Sequence, residues 1–123
     1  MTQEERKELV ENYLGRTLKI IIDRPIGYIH KKERYSLVYP INYGYIPGVF
    51  GGDGEELDVY LMGVDVPVEE YVCRVIGIVF RENDVEDKLI AAPNGVMFTK
   101  KEIEEAISFQ EKYYITKVKA LVE

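Results

Sequence analysis

Tryptophan is absent from this chain of 123 residues, and cysteine and histidine occur once each, as Cys73 and His30. A lone cysteine excludes a disulfide within the chain. Its place in the apolar run YVCRVIGIVF points to a buried, inert thiol. A lone histidine, with no HxxxH or Cys/His companion, argues against a zinc centre. No apolar run is long enough to cross a bilayer as a helix, and the opening MTQEERKEL is charged where a signal peptide is apolar. The expected location is therefore the cytoplasm. Positive charge is also scarce: 16 Lys and Arg stand against 22 Asp and Glu, a formal net charge of −6. That balance disfavours nucleic acid and anionic membranes as partners. A small anionic substrate then needs local positive charge or a metal ion to hold it.

What the chain has instead is tyrosine, ten of them, together with short β-rich runs and two helical patterns. Thr2 and Glu5 have capping-box spacing ahead of Leu9, Val10, Tyr13 and Leu14, which predicts a helix over 2–14 stopped by Gly15. Thr99 and Glu102 repeat the device and open a second helix, with Ile103, Ala106, Ile107, Gln110, Tyr113 and Tyr114 near one stripe. Strands are expected at 18–23, 57–62, 71–80, 88–92 and 115–122, with short strands and turns over the Tyr-, Pro- and Gly-rich 28–54. Residues 1–123 read as one domain, mainly β with flanking helices: a small closed barrel with a helix packed on it.

Three segments can carry chemistry. In GGDGEELDVYLM, Asp53, Glu55 and Asp58 lie in a glycine-rich turn leading into a strand. Carboxylates that converge repel one another unless a cation sits between them, and oxygen ligands suit hard cations such as Mg²⁺ and Mn²⁺. A solvated hairpin turn is the plain alternative. The spacing does not fit an EF-hand loop. In RENDVEDK, the acids Glu82, Asp84, Glu86 and Asp87 form a charged turn, and Lys88 opens the next strand where its ammonium can face an anion. In YPINYGYIPG, Tyr39, Tyr43 and Tyr45 either line a polar site or form an aromatic hairpin core.

Taken together, in order and with these intervals, the three segments resemble the soluble (family I) inorganic pyrophosphatases. YPINYGYIPG followed by DGEELDV is similar to the family's Tyr-Pro, Asn-Tyr-Gly-Tyr and Asp-Gly-Asp-x-x-Asp pattern, and RVIGIVF with DKLIAAP to its next block. The resemblance runs from about Lys19 to Pro93, with a fainter match near Phe109 to Tyr113. It implies a five-stranded OB-like barrel and the Mg²⁺-dependent hydrolysis of pyrophosphate, with Mn²⁺ as a substitute ion. It implies Asp53 and Asp58 as metal ligands, Asp58 bridging two ions, with Asp84 and Glu86 as further candidate ligands on the acidic turn. Glu55 falls on the carboxylate that orients or deprotonates the attacking water. Tyr39 and Tyr43 match site tyrosines, and Lys19, Lys88 and Tyr113 match residues at or near the phosphates. Homo-oligomeric assembly is also implied.

The chain departs from the family at several places. Ile21 and Arg81 stand where the family has acids, Tyr114 where it has a lysine, and Glu55 where it has an aspartate. The family's phosphate-binding arginine has Lys31, Lys32 and Arg34 as candidate replacements, and Arg81 is a candidate phosphate contact in its own right. Fewer acids imply fewer metal ions. Two other readings fit the same residues: a phosphohydrolase acting on another phosphoanhydride, and a non-catalytic module that binds metal and phosphate.

Overall fold

In the computed structural model, which describes residues 1–122, five strands close into a barrel and two helices pack on it. The elements run α1 (Gln3–Glu11), β1 (Thr17–Arg24), β2 (Ile29–Lys31), β3 (Ser36–Val38), β4 (Asn42–Phe50), β5 (Glu56–Leu61), β6 (Glu70–Arg81), β7 (Lys88–Ala92), α2 (Lys100–Glu111) and β8 (Thr116–Ala120). The sheet order is β1-β4-β5-β7-β6-β8, and β1 also pairs with β6, which closes the barrel. Strand β8 extends the sheet beyond the closure, while β2 and β3 form a separate hairpin. Both capping boxes form: Thr2 with Glu5 and Thr99 with Glu102. The first helix ends at Glu11, earlier than the expected Leu14, with Gly15 following at φ +86°.

Strand alternation sorts the core into two compartments. Ile20, Ile22, Leu57, Val59, Leu61, Val75, Ile78 and Leu89 fill the barrel interior. Tyr39, Tyr43, Tyr60, Met62, Ile76 and Ile90 lie on the outer face and meet Ile103 and Ile107 of α2. At Gly44 the β1 and β4 backbones come so close that a Cβ would sit 1.8 Å from the carbonyl oxygen of Ile21. Cys73 is buried in the barrel, where loss of solvation pushes its thiol up to about 12. Among the described residues, no helix is long and apolar enough to cross a membrane.

Candidate active site

The polar residues concentrate where β1, β5, β7 and the end of α2 meet outside the barrel. Lys88 is the hinge of this region. Its side chain is 3% exposed, and its Nζ donates to Oδ2 of Asp58 at 2.8 Å and to the Tyr43 hydroxyl at 2.6 Å, with Glu86 Oε2 at 3.6 Å. An ammonium so deeply placed needs such partners to offset its lost hydration. A small cavity of about 170 Å³ opens there, lined by Arg24, His30, Lys32, Tyr43, Lys88 and Tyr114 among others. Of the three candidate basic residues at 31, 32 and 34, Lys32 is the one that lines it.

Arg24 went unnoticed in the sequence for a physical reason. It shares the parity of Ile20 and Ile22, so simple alternation points it into the barrel. The β1–β4 register shifts between Ile22 and Arg24, and this irregularity sets Arg24 opposite Tyr43. There its Nη1 donates to the Tyr39 hydroxyl at 2.6 Å and lies 3.3 Å from His30 Nδ1. Tyr39 in turn donates to Gln110 Oε1 at 2.5 Å, which ties the cavity wall to α2. Burial and the charges of Arg24 and Lys32 hold the His30 imidazole below its ordinary range. His30 is therefore neutral at pH 7, and the fixed positive charge of the cavity is carried by arginine and lysine.

On its other flank Asp58 borders an acidic groove lined by Asp23, Tyr45, Glu55 and Glu56. Asp23 is another residue that the sequence reading missed. It lies on the same side of β1 as Ile21 but nearer the strand end, and burial followed by the charge of Asp58 raises its carboxyl. Asp53 and Glu86 are in side-chain hydrogen-bonding contact. Burial, the bond to Asp53 and the nearby charges of Asp53 and Asp58 push Glu86 up to about 7, although Lys88 opposes the shift. Burial also works against the charge on Asp53, but its bonds to Glu86 and to backbone amides outweigh this and hold it below the ordinary carboxylate range.

Three expected site residues stand elsewhere. Lys19 forms an exposed ion pair with Glu70 at 3.0 Å, its side chain 55% accessible, and does not line the cavity. Tyr113 follows the end of α2 and stacks on Tyr35 at 4.9 Å between centroids, outside the cavity lining. Asp84 turns to Arg81, its Oδ2 accepting from Nη1 at 3.2 Å. Arg81 does not offer a free fork to a phosphate either, because Glu111, Asp84 and Glu86 take up its donors. A wider cavity of about 360 Å³ lies beside α1, but Arg6 and Asp87 in its wall are already paired with each other at 3.2 Å.

Comparison with known proteins decides the family. The family model described as inorganic pyrophosphatase matches residues 9–119. The chain belongs to the inorganic pyrophosphatase family. An inorganic pyrophosphatase of Campylobacter jejuni is 29% identical over 94 residues, covering 71% of this chain and 54% of that protein. One from Aquifex pyrophilus is 31% identical over 93 residues, covering 70% of this chain and 52% of the relative. The chain thus spans about half the length of these curated relatives. The crystal structure of inorganic pyrophosphatase from Ehrlichia chaffeensis shares the fold, with a TM-score of 0.65, 19% identity and 88% of each chain covered. The closed five-stranded barrel with two helices expected from the sequence is the pyrophosphatase fold.

Whether the residues suit the Mg²⁺ implied by the family depends on their donor chemistry. Among the described residues, no three acidic, histidine or cysteine side chains are gathered tightly enough to cage an ion by themselves. Mg²⁺ rarely asks for such a cage: it keeps several waters and takes one or two carboxylates together with substrate phosphates. Asp53, Asp58 and Glu86 offer oxygen donors alone, and burial first, then the neighbouring Asp53 and Asp58, raise the Glu86 carboxyl. Arg81 pairs with both Asp84 and Glu86 at 3.2 Å, but of the two only Glu86 lines the cavity.

Proposed function

We propose that this chain hydrolyses inorganic pyrophosphate to two phosphates, with Mg²⁺ as its cofactor and Mn²⁺ as a substitute. The observation that carries the reading is the junction at Asp58. A cation-lined cavity the size of a small anion lies on one side of this carboxylate, and an acidic groove on the other. Bound at Asp53, Asp58 and Glu86, the metal supplies positive charge that neutralises the phosphates and makes the attacking water more acidic.

The chain's own residues do the rest. Lys88, Arg24 and Lys32 hold phosphate oxygens. Burial, followed by the charge of Asp58, pushes the Tyr43 hydroxyl well above its ordinary value, so it stays protonated. Tyr43 accepts from Lys88 and so keeps its own proton to donate. Glu55, exposed beside Asp58 in the groove, orients the water and takes its proton. The water oxygen bonds to one phosphorus, the P–O–P bridge breaks, and the bridging oxygen leaves with the second phosphate. Tyr39 braces Arg24, while Lys19 and Tyr113 stand outside the cavity lining.

Phosphate release tests the proposal, measured on pyrophosphate with and without millimolar Mg²⁺ and on a nucleotide panel. Mg²⁺-dependent release from pyrophosphate alone supports it. Release from nucleotides in preference to pyrophosphate assigns another phosphoanhydride, and binding without release assigns a non-catalytic module. The proposal extends to the cytoplasm as location and to homo-oligomeric assembly. The latter is supported by the exposed cross-strand pair Ile29 and Val38 on the β2–β3 hairpin. Size-exclusion chromatography with light scattering checks it, and a monomeric mass would remove that extension.

A further inference from the structure

Arg81, in the wall of the cavity, makes three ion pairs, more than any other cation among the described residues. Arg81 ends β6 with its side chain 2% exposed. Its Nε and Nη2 donate to the two carboxylate oxygens of Glu111 at 2.9 and 2.7 Å. Its Nη1 donates to Asp84 Oδ2 and to Glu86 Oε2, both at 3.2 Å. The ring of Tyr114 lies 3.7 Å from the guanidinium carbon. Three carboxylates from two separate segments, the β6–β7 turn and the end of α2, are thus drawn to one buried cation. Each has little else to balance it. Glu111 otherwise accepts from the Tyr60 hydroxyl, Asp84 from the Val85 amide, and Glu86 has Lys88 at 3.6 Å.

We infer that Arg81 is a cation built into the chain, which gathers Asp84, Glu86 and Glu111 as a divalent ion would and thereby fixes Glu86 at the rim of the anion cavity. A guanidinium can do this where a lysine cannot do it fully, since its planar fork engages Glu111 with two parallel bonds while a third nitrogen reaches the turn. The charge balance follows. One positive charge among three carboxylates leaves the group net negative, which keeps it attractive to a cation while leaving no room for one. Removing the guanidinium would open both the space and the ligands: oxygen donors from three carboxylates, Glu111 buried and Asp84 and Glu86 partly so, the set that hard divalent ions prefer. Arg81 is accordingly a positioning residue, acting through Glu86. Its role as a resident cation rests on the geometry alone, and only the use of the cavity rests on the proposed hydrolysis.

The test is a gain of metal binding. Wild type, Arg81→Ala, Arg81→Lys and the double variant Arg81→Ala with Glu111→Gln are titrated with Mn²⁺ without substrate. Bound ion is counted by electron paramagnetic resonance, and folding is followed by circular dichroism. Arg81→Ala should bind one further Mn²⁺ per chain and gain more thermal stability from the ion than wild type does. Arg81→Lys should keep the wild-type count, and the double variant should lose the extra ion. If Arg81→Ala folds only when Mn²⁺ is present, the inference is likewise supported. An unchanged count in folded Arg81→Ala overturns it, as does a chain that stays unfolded with and without Mn²⁺. Phosphate release is recorded on the same samples, so an inactive wild type with the expected ion counts would sink the proposed hydrolysis and leave this inference standing.

Discussion

Asp58 and Asp87 separate what a single carboxylate does for chemistry from what it does for the fold. Asp58 faces the cavity and the groove and also pairs with the buried Lys88, so Asp58→Asn should lower kcat for pyrophosphate by roughly 10³-fold and lower the melting temperature as well. Asp87 is 6% exposed and accepts from Nε and Nη2 of Arg6 and from the backbone amide of Arg81. Asp87→Asn should cost about 2 kcal/mol of stability, because Arg6 loses its charged partner, while steady-state kinetics below the transition stay near wild type. Equal kinetic losses in the two variants would contradict this division. Cys73 makes a third case. With its thiol pushed up to about 12, only a trace is thiolate at pH 8. Ellman's reagent should therefore label it slowly in the native protein and rapidly after denaturation. Rapid native labelling would show that the barrel interior opens.

The elements divide by how local their causes are. Both capping boxes were legible in the sequence because each needs only residues three apart, and Thr99→Ala should cost about 1 kcal/mol in denaturant unfolding. Gly44 in the Asn-Tyr-Gly-Tyr segment is less local. Any side chain there would strike the Ile21 carbonyl, so Gly44→Ala should part β1 from β4 and leave little folded protein by circular dichroism, whereas Gly95→Ala, with nothing near its Cβ position, should fold with only the strain of its φ of +85° to lower its melting temperature. The cluster of Asp58, Tyr43 and Lys88 was legible because two adjacent strand patterns and one lysine specify it. Lys19 and Tyr113 were not, since their placement depends on Glu70 from β6 and Tyr35 from the hairpin, which no local pattern brings near. Arg24 was hidden by the irregularity that turns it outward, and Arg81, legible as a candidate phosphate contact, instead finds its partners on α2 as well as on its own turn.

At the scale of the whole molecule, charge and closure set the behaviour. A net charge of −6, with the carboxylates of Asp53, Asp58 and Glu86 brought near one another by the fold, should make the native state a better Mg²⁺ binder than the unfolded chain. Millimolar Mg²⁺ should then raise the melting temperature of wild type, and less so that of Asp58→Asn, by differential scanning calorimetry. Identical shifts would place the ion elsewhere. The closing seam has a consequence in time. Thr17 to Ile21 pair with Arg74 back to Glu70, the hairpin and both β4 and β5 lying between them along the chain. Contacts between such distant segments form late, because their loop must close before any of the pairing repays it. The anion cavity takes Arg24 from one side of that seam and Lys88 from beyond the other. A refolding chain should accordingly regain its helical and hairpin signals first, and its affinity for a small anion only when the last strands have met.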